Sequence, residues 1–140
     1  MQTFLPYENF EQTAKCLDYR RLGKQRVECK QIILALTNPD KGWKNHPATK
    51  MWKNNVECLA YYGTCMCKEW INRGYKDSCL EFFNQFIKHD NFNDISKPSW
   101  LGDINFHNSH KSKLLQKNNE FYSQYGWCVN RNLEYIWPIN

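Results

Sequence analysis

Apolar residues recur every three or four positions along most of the chain, and no segment sustains the alternation of a half-buried strand. Phe10, Ala14, Leu17 and the Tyr19–Leu22 corner predict a weakly amphipathic first helix over Phe10–Leu22, and Gly23 predicts a break or kink after it. Lys24–Leu36 reads as a second helix, with Val27, Ile32, Ile33 and Leu36 apolar, ended by Thr37-Asn38-Pro39-Asp40. Lys41–Asn45 is a loop. Asn45-His46-Pro47 is a helix start, because proline at the first helical position forfeits no hydrogen bond. From there Trp52, Val56, Leu59, Gly63, Met66 and Trp70 recur at alternating steps of four and three. That seam predicts one long core helix of about six turns, ending at Arg73-Gly74. Ser78–His89 is a further amphipathic segment around Leu80, Phe83 and Ile87, and Asn91–Leu101 is a loop. Asp103 is a good N-cap for a last helix carrying Phe106, Ser109, Lys113 and Leu114, which ends before Tyr125-Gly126. The tail, Trp127–Asn140, is aromatic and irregular, and Leu133–Trp137 is expected to pack back on the rest. The pattern reads as an all-α fold, a single compact bundle of four or five helices over residues 1–140.

Length agrees with one domain, since 140 residues leave no room for two ordinary ones. The longest aliphatic run, Ile32–Leu36, is far short of the roughly 20 residues of a membrane helix. No basic stretch followed by a long apolar one opens the chain, so neither membrane nor secretion is expected. Seven cysteines, an odd number with Cys65-Met66-Cys67 as the one close pair, read as reduced and mostly buried thiols. A reducing compartment, cytoplasmic or nuclear, follows. No cofactor and no metal are expected, because the spacing of a zinc site is missing.

Charge narrows the partners. The chain carries a net +5, and the sixteen residues Lys15–Lys30 alone carry +4. Lys15, Arg20, Arg21, Lys24, Arg26 and Lys30 outweigh Asp18 and Glu28 there. Three of the five arginines of a lysine-rich chain lie in this stretch, and the guanidinium fork suits phosphate in a way lysine does not. The plain reading is a solvated helix face; the sharper one is a phosphate clamp around a kink at Leu22-Gly23. A second group, His107, His110, Lys111, Lys113 and Lys117, lies on the last helix and offers phosphate contacts. His46 either caps a helix or faces a ligand. Trp52 and Trp70 fall on the core seam, whereas Trp43 and Trp100 fall in loops beside cationic or histidine-bearing segments, where aromatics stack on unpaired bases or are simply buried.

Asp18-Tyr19-Arg20-Arg21-Leu22-Gly23-Lys24-Gln25-Arg26-Val27-Glu28, His46-Pro47, Asn72-Arg73-Gly74-Tyr75 and Pro98-Ser99-Trp100-Leu101-Gly102-Asp103, followed by His107, Ser109 and Ser112, occur in that order. Together they resemble the pyrimidine-dimer DNA glycosylase family, more closely its bacterial branch. The resemblance implies a compact all-α protein that binds and bends duplex DNA as a monomer, with a base extrahelical during recognition. It implies excision at ultraviolet pyrimidine dimers by an N-terminal α-amine, which forms an imine with C1′ of the damaged nucleotide before β-elimination nicks the strand. An α-amine titrates near pH 8, so a useful fraction is a neutral nucleophile at physiological pH. A carboxylate on the first helix stabilises the developing sugar cation and moves protons.

Carried over residue by residue, the likeness is partial. Arg20 and Lys24 fall on basic positions of the family's segment, but Arg21 stands where the family has its catalytic glutamate. Asp18 and Glu28 are the acids available to replace it; Glu28 lies one turn past Lys24, so an ion pair between them is its expected structural role. Gln2 is too bulky for ordinary removal of the initiator methionine, which leaves the amine of Met1, or of Gln2 after unusual processing. Lys24, among three arginines, is the fallback nucleophile. The candidate catalytic set is therefore Met1, Gln2, Asp18, Lys24 and Glu28. The candidate DNA contacts are Arg20, Arg21, Lys24, Arg26, His46, His107, His110, Lys111 and Lys113. Two other readings stand beside a glycosylase: a DNA-binding relative without catalysis, and a nucleotide- or base-processing enzyme on the same scaffold using His46, His107 and Glu28.

Overall fold

The computed structural model describes residues 1–38, 40 and 42–138. Pro39 of the expected helix end, Lys41 of the expected loop and the last two residues of the tail lie outside the described residues. Seven α-helices and no strand occur among them, as the hydrophobic spacing requires. They are α1 (Phe10–Cys16), α2 (Tyr19–Thr37), α3 (Pro47–Lys50), α4 (Val56–Asn72), α5 (Leu80–Asn84), α6 (Ile104–Lys117) and α7 (Asn119–Tyr122). The three long helices carry the architecture. Helix α2 packs along α4, α1 and α5 pack on α4, and α3 leans on α2.

The expected break at Gly23 is not there. Helix α2 runs straight through it, and the chain breaks earlier, at Leu17-Asp18. A mid-helix glycine costs about 1 kcal/mol relative to alanine. Here the bare backbone admits Trp70 of α4, whose ring would lie 3.0 Å from any added Cβ. Gly23 is thus a packing site, and no clamp is built on a kink.

The predicted six-turn helix is two helices. His46 caps α3, its Nδ1 accepting from the Ala48 N–H at 3.0 Å. The helix stops after one turn, and the chain turns through Asn54, whose φ is +69°, before α4 begins. The seam from Val56 to Trp70 does lie on α4. Arg73, just past that helix, donates to the Ala14 and Lys15 carbonyls at 3.2 and 3.1 Å and so covers the exposed end of α1. The expected helix over Ser78–His89 shrinks to α5, because the Glu57 carboxylate takes the Lys88 and His89 N–H groups. Asp103 caps α6 through the Asn105 and Phe106 N–H groups, and α6 ends at Lys117 rather than running on toward Tyr125.

Leu5, Leu17, Leu22, Ile32, Ile33, Trp52, Leu59, Tyr62, Phe83, Phe106 and Tyr122 fill one core. Each aliphatic side chain buried this fully stabilises the fold by roughly 1.5–3 kcal/mol. Six of the seven cysteines are buried and none is in a disulfide. Burial pushes the Cys16, Cys58 and Cys65 thiols up to about 12, which leaves them inert. The tail packs back as expected: the Leu133 and Ile136 N–H groups donate to Ser112 and Ser109 of α6. No helix among the described residues is long and apolar enough to cross a membrane.

Candidate active site around the N-terminus

Residues Gln2–Leu5 enter the bundle with no neighbouring strand, so side chains must satisfy their backbone groups. Helix α2 supplies three of the partners, through Gln25 and Glu28. Gln25 is buried; its Oε1 accepts from the Phe4 N–H at 2.9 Å, and its Nε2 donates to the Gln2 carbonyl at 2.9 Å. Tyr62 of α4 donates to the Phe4 carbonyl at 2.7 Å, and Trp52 donates to the Thr3 hydroxyl at 2.9 Å. Helix α6 holds Leu5 from the other side. His110 Nδ1 accepts from the Leu5 N–H at 2.8 Å, and His107 Nδ1 lies 2.7 Å from the Leu5 carbonyl. Since His107 Nε2 accepts from the Gly102 N–H at 3.0 Å, its proton sits on Nδ1 and is donated to Leu5.

This clamp fixes Met1 and Gln2 in the lining of a cleft of about 630 Å³. Gln2, Phe4 and Gln25 are its buried lining, with Met1 and Glu28 half-buried beside them. Arg20, Arg21 and Lys24 of α2 are on its rim, with Lys117 from the end of α6 and Tyr135 from the tail. Glu28 accepts from the Gln2 N–H at 3.3 Å and from Gln25 Nε2 at 3.2 Å. No ion pair to Lys24 forms, so the expected Lys24–Glu28 pairing is replaced by a carboxylate turned to the N-terminal residues. The reason is geometric: Gln25 and Glu28, three apart on α2, present one face to the entering chain. His46 stands close to the same amine. Burial of its ring, and then the positive N-terminus, hold His46 below its usual pKa, while Glu28 pulls the other way.

Of the candidate residues, Met1, Gln2, Arg20, Arg21, Lys24 and Glu28 converge on this cleft, and the others do not line it. Asp18 is buried; its carboxylate accepts from the Tyr122 hydroxyl and pairs with Arg21 at 3.2 Å, so it steadies that arginine rather than facing the cleft. Arg26 is paired with Asp77 and lies 4.5 Å over the Trp70 ring, a packing role in place of a DNA contact. His107 and His110 are buried under Leu5, which takes both away from any phosphate. Lys111 lies over the Tyr7 ring and Lys113 pairs with Glu134 at 3.1 Å. Trp100 is buried, its indole N–H donating to the Met51 carbonyl, while Trp43 is exposed.

Sequence reasoning missed Gln25, Tyr62 and Tyr135, whereas Lys117, singled out with the last helix's cations, does line the cleft. The one available signal was the Gln25–Glu28 spacing on a helix already singled out for its charge. Among the described residues no three His, Cys, Asp or Glu side chains converge as a metal site would need.

The arrangement places a terminal amine, a carboxylate and four cations at one opening. A family model described as pyrimidine dimer DNA glycosylase matches residues 1–81, a stretch that holds every cleft residue except Lys117 and Tyr135. No curated protein and no solved structure matches the chain. With more than half of its 140 residues matched, the chain belongs to the pyrimidine dimer DNA glycosylase family.

Proposed function

We propose that the protein is a DNA glycosylase with an AP-lyase step, acting on pyrimidine dimers in duplex DNA through its N-terminal amine. The observation that carries the reading is Glu28, whose carboxylate meets the Gln2 N–H at 3.3 Å where the cleft opens among Arg20, Arg21, Lys24 and Lys117. Glu28 thereby supplies the acid that Arg21 cannot. The two positions lie seven residues apart, two turns along one helix face.

In this reading the neutral amine of residue 1, or of residue 2 once Met1 is removed, attacks C1′ of the damaged nucleotide. The bond from C1′ to the base breaks and its electron pair leaves with the base. Glu28 stabilises the positive charge that develops on the sugar, and its carboxylate stands where a proton is exchanged between amine and sugar. The C1′–O4′ bond of that adduct then breaks, a proton passing from the attached nitrogen to O4′, so the sugar ring opens to an iminium; loss of a proton from C2′ of the iminium expels the 3′ phosphate. The rim cations hold the phosphates on either side. Gln25, Tyr62, His107 and His110 are positioning residues, because they hold the backbone of Gln2, Phe4 and Leu5 that leads to the amine.

Borohydride reduction of a reaction with dimer-containing or abasic duplex tests this. Wild-type protein gives a covalent adduct, and E28Q loses adduct formation by about 10²–10⁴-fold while keeping DNA affinity. An E28Q protein that forms adduct at the wild-type rate removes Glu28 from the mechanism.

A second reading is favoured by Arg21 at the family's glutamate position: a relative that binds DNA without cutting it. It predicts salt-sensitive binding with no adduct from the wild-type protein.

A further inference from the structure

One side of the cleft is aromatic, and ring contacts lead out of it to the surface. Tyr135 lines the cleft, and the Trp137 ring lies 5.5 Å from it. Trp137 meets His46 edge-on at 6.0 Å, and His46 meets Trp43 edge-on at 5.7 Å. The series ends at Trp43, which is 54% exposed. A tryptophan adds most to stability when buried, so packing does not account for one left open at the end of a ring series. Its backbone is unusual too. Trp43 has φ +75°, a region that bulky residues rarely occupy and that clusters at functional positions.

The cleft at the other end of the series says what such a ring would meet. Arg20, Lys24 and Lys117 are exposed cations suited to phosphates. Phosphate-binding cations and an open aromatic face, joined here through Tyr135, Trp137 and His46, are the two requirements of an unpaired strand. Within intact duplex the bases stack on one another and offer no free face to an indole. We infer that Trp43 is a stacking platform for an unpaired base, and that the protein binds single-stranded DNA through the cleft as well as duplex. This rests on the reading that the cleft takes DNA, and it requires none of the imine chemistry.

A single strand of about ten nucleotides carrying 2-aminopurine, and its intact duplex, are the probes. Wild-type protein binds the single strand and changes the 2-aminopurine fluorescence as the base stacks. W43A weakens single-strand binding about tenfold and abolishes the fluorescence change, while duplex affinity moves less than about twofold. The salt dependence of binding is the same in both proteins, since the phosphate contacts are untouched. W43F, which keeps an aromatic face, retains most of the affinity, and W43L, which keeps bulk alone, does not; that pair holds the comparison even where alanine disturbs the turn. The proposal is overturned by no single-strand binding, by equal loss on both DNAs, by no loss on either, or by W43L matching W43F. Loss of borohydride trapping with this pattern intact removes the imine mechanism and leaves the platform standing. Trapping with no effect of Trp43 does the reverse.

Discussion

His110 is fully buried on α6, with Nδ1 accepting from the Leu5 N–H, and burial together with neighbouring His107 holds its pKa down at about 3. The unfolded chain protonates this ring near its ordinary value of 6.5. Between those values the unfolded state therefore binds one more proton than the folded state. The contribution of His110 is complete above about pH 6.5 and is lost progressively as pH falls toward 3, at up to about 1.4 kcal/mol per pH unit. His107, also lowered chiefly by burial, acts in the same direction. Denaturant unfolding from pH 7 to pH 4 is expected to show a steep acid limb, shallower in H110Q; equal slopes would place the acid sensitivity elsewhere. The clamp on Leu5 also shows what residue-level reading reaches. Glu28 was recognisable as an acid on a basic helix. Gln25 was not, because its role depends on Gln2 and Phe4, more than twenty residues away, arriving beside it. The two histidines were misread for the same reason, their partner being Leu5 at the far end of the chain.

At the scale of elements, two glycines set how closely helices approach. Gly63 of α4 is the tighter: an added Cβ would lie 2.6 Å from Phe83 of α5, a fully buried ring with no room to retreat. Alanine gains about 1 kcal/mol in helix propensity there but forces the overpacking usually worth 1–3 kcal/mol or more. G63A is expected to lower stability by roughly 1–2 kcal/mol, and F83L in the same chain to restore part of it. A stable G63A protein, unaffected by F83L, would contradict the packing. The helical period made α2, α4 and α6 legible as helices, and Asp103 marked the start of α6. The turn that separates α3 from α4 left no such mark. Lys53-Asn54 holds neither glycine nor proline, and the apolar spacing continues across it from Trp52 to Val56. The break at Leu17-Asp18 was hidden likewise, while Gly23 advertised one that packing against Trp70 removes.

Across the whole molecule, the cleft joins segments that sequence order keeps apart: the first residues, the start of α2, the end of α6 and the tail. The charge count pointed to α2, yet Arg26 turns away to Asp77, and Lys117 comes from ninety residues further on. Concentrated charge therefore marked the right helix without marking its right face. The central claim is that this gathering serves an amine at the N-terminal end of the chain. Its most direct test is to trap the protein with borohydride on abasic duplex DNA, digest it, and locate the DNA adduct by mass spectrometry. The account predicts one adduct, on the α-amine of residue 1, or of residue 2 where Met1 has been removed, and none after that amine is acetylated. An adduct on Lys24, or no adduct from protein that binds the DNA, would contradict it.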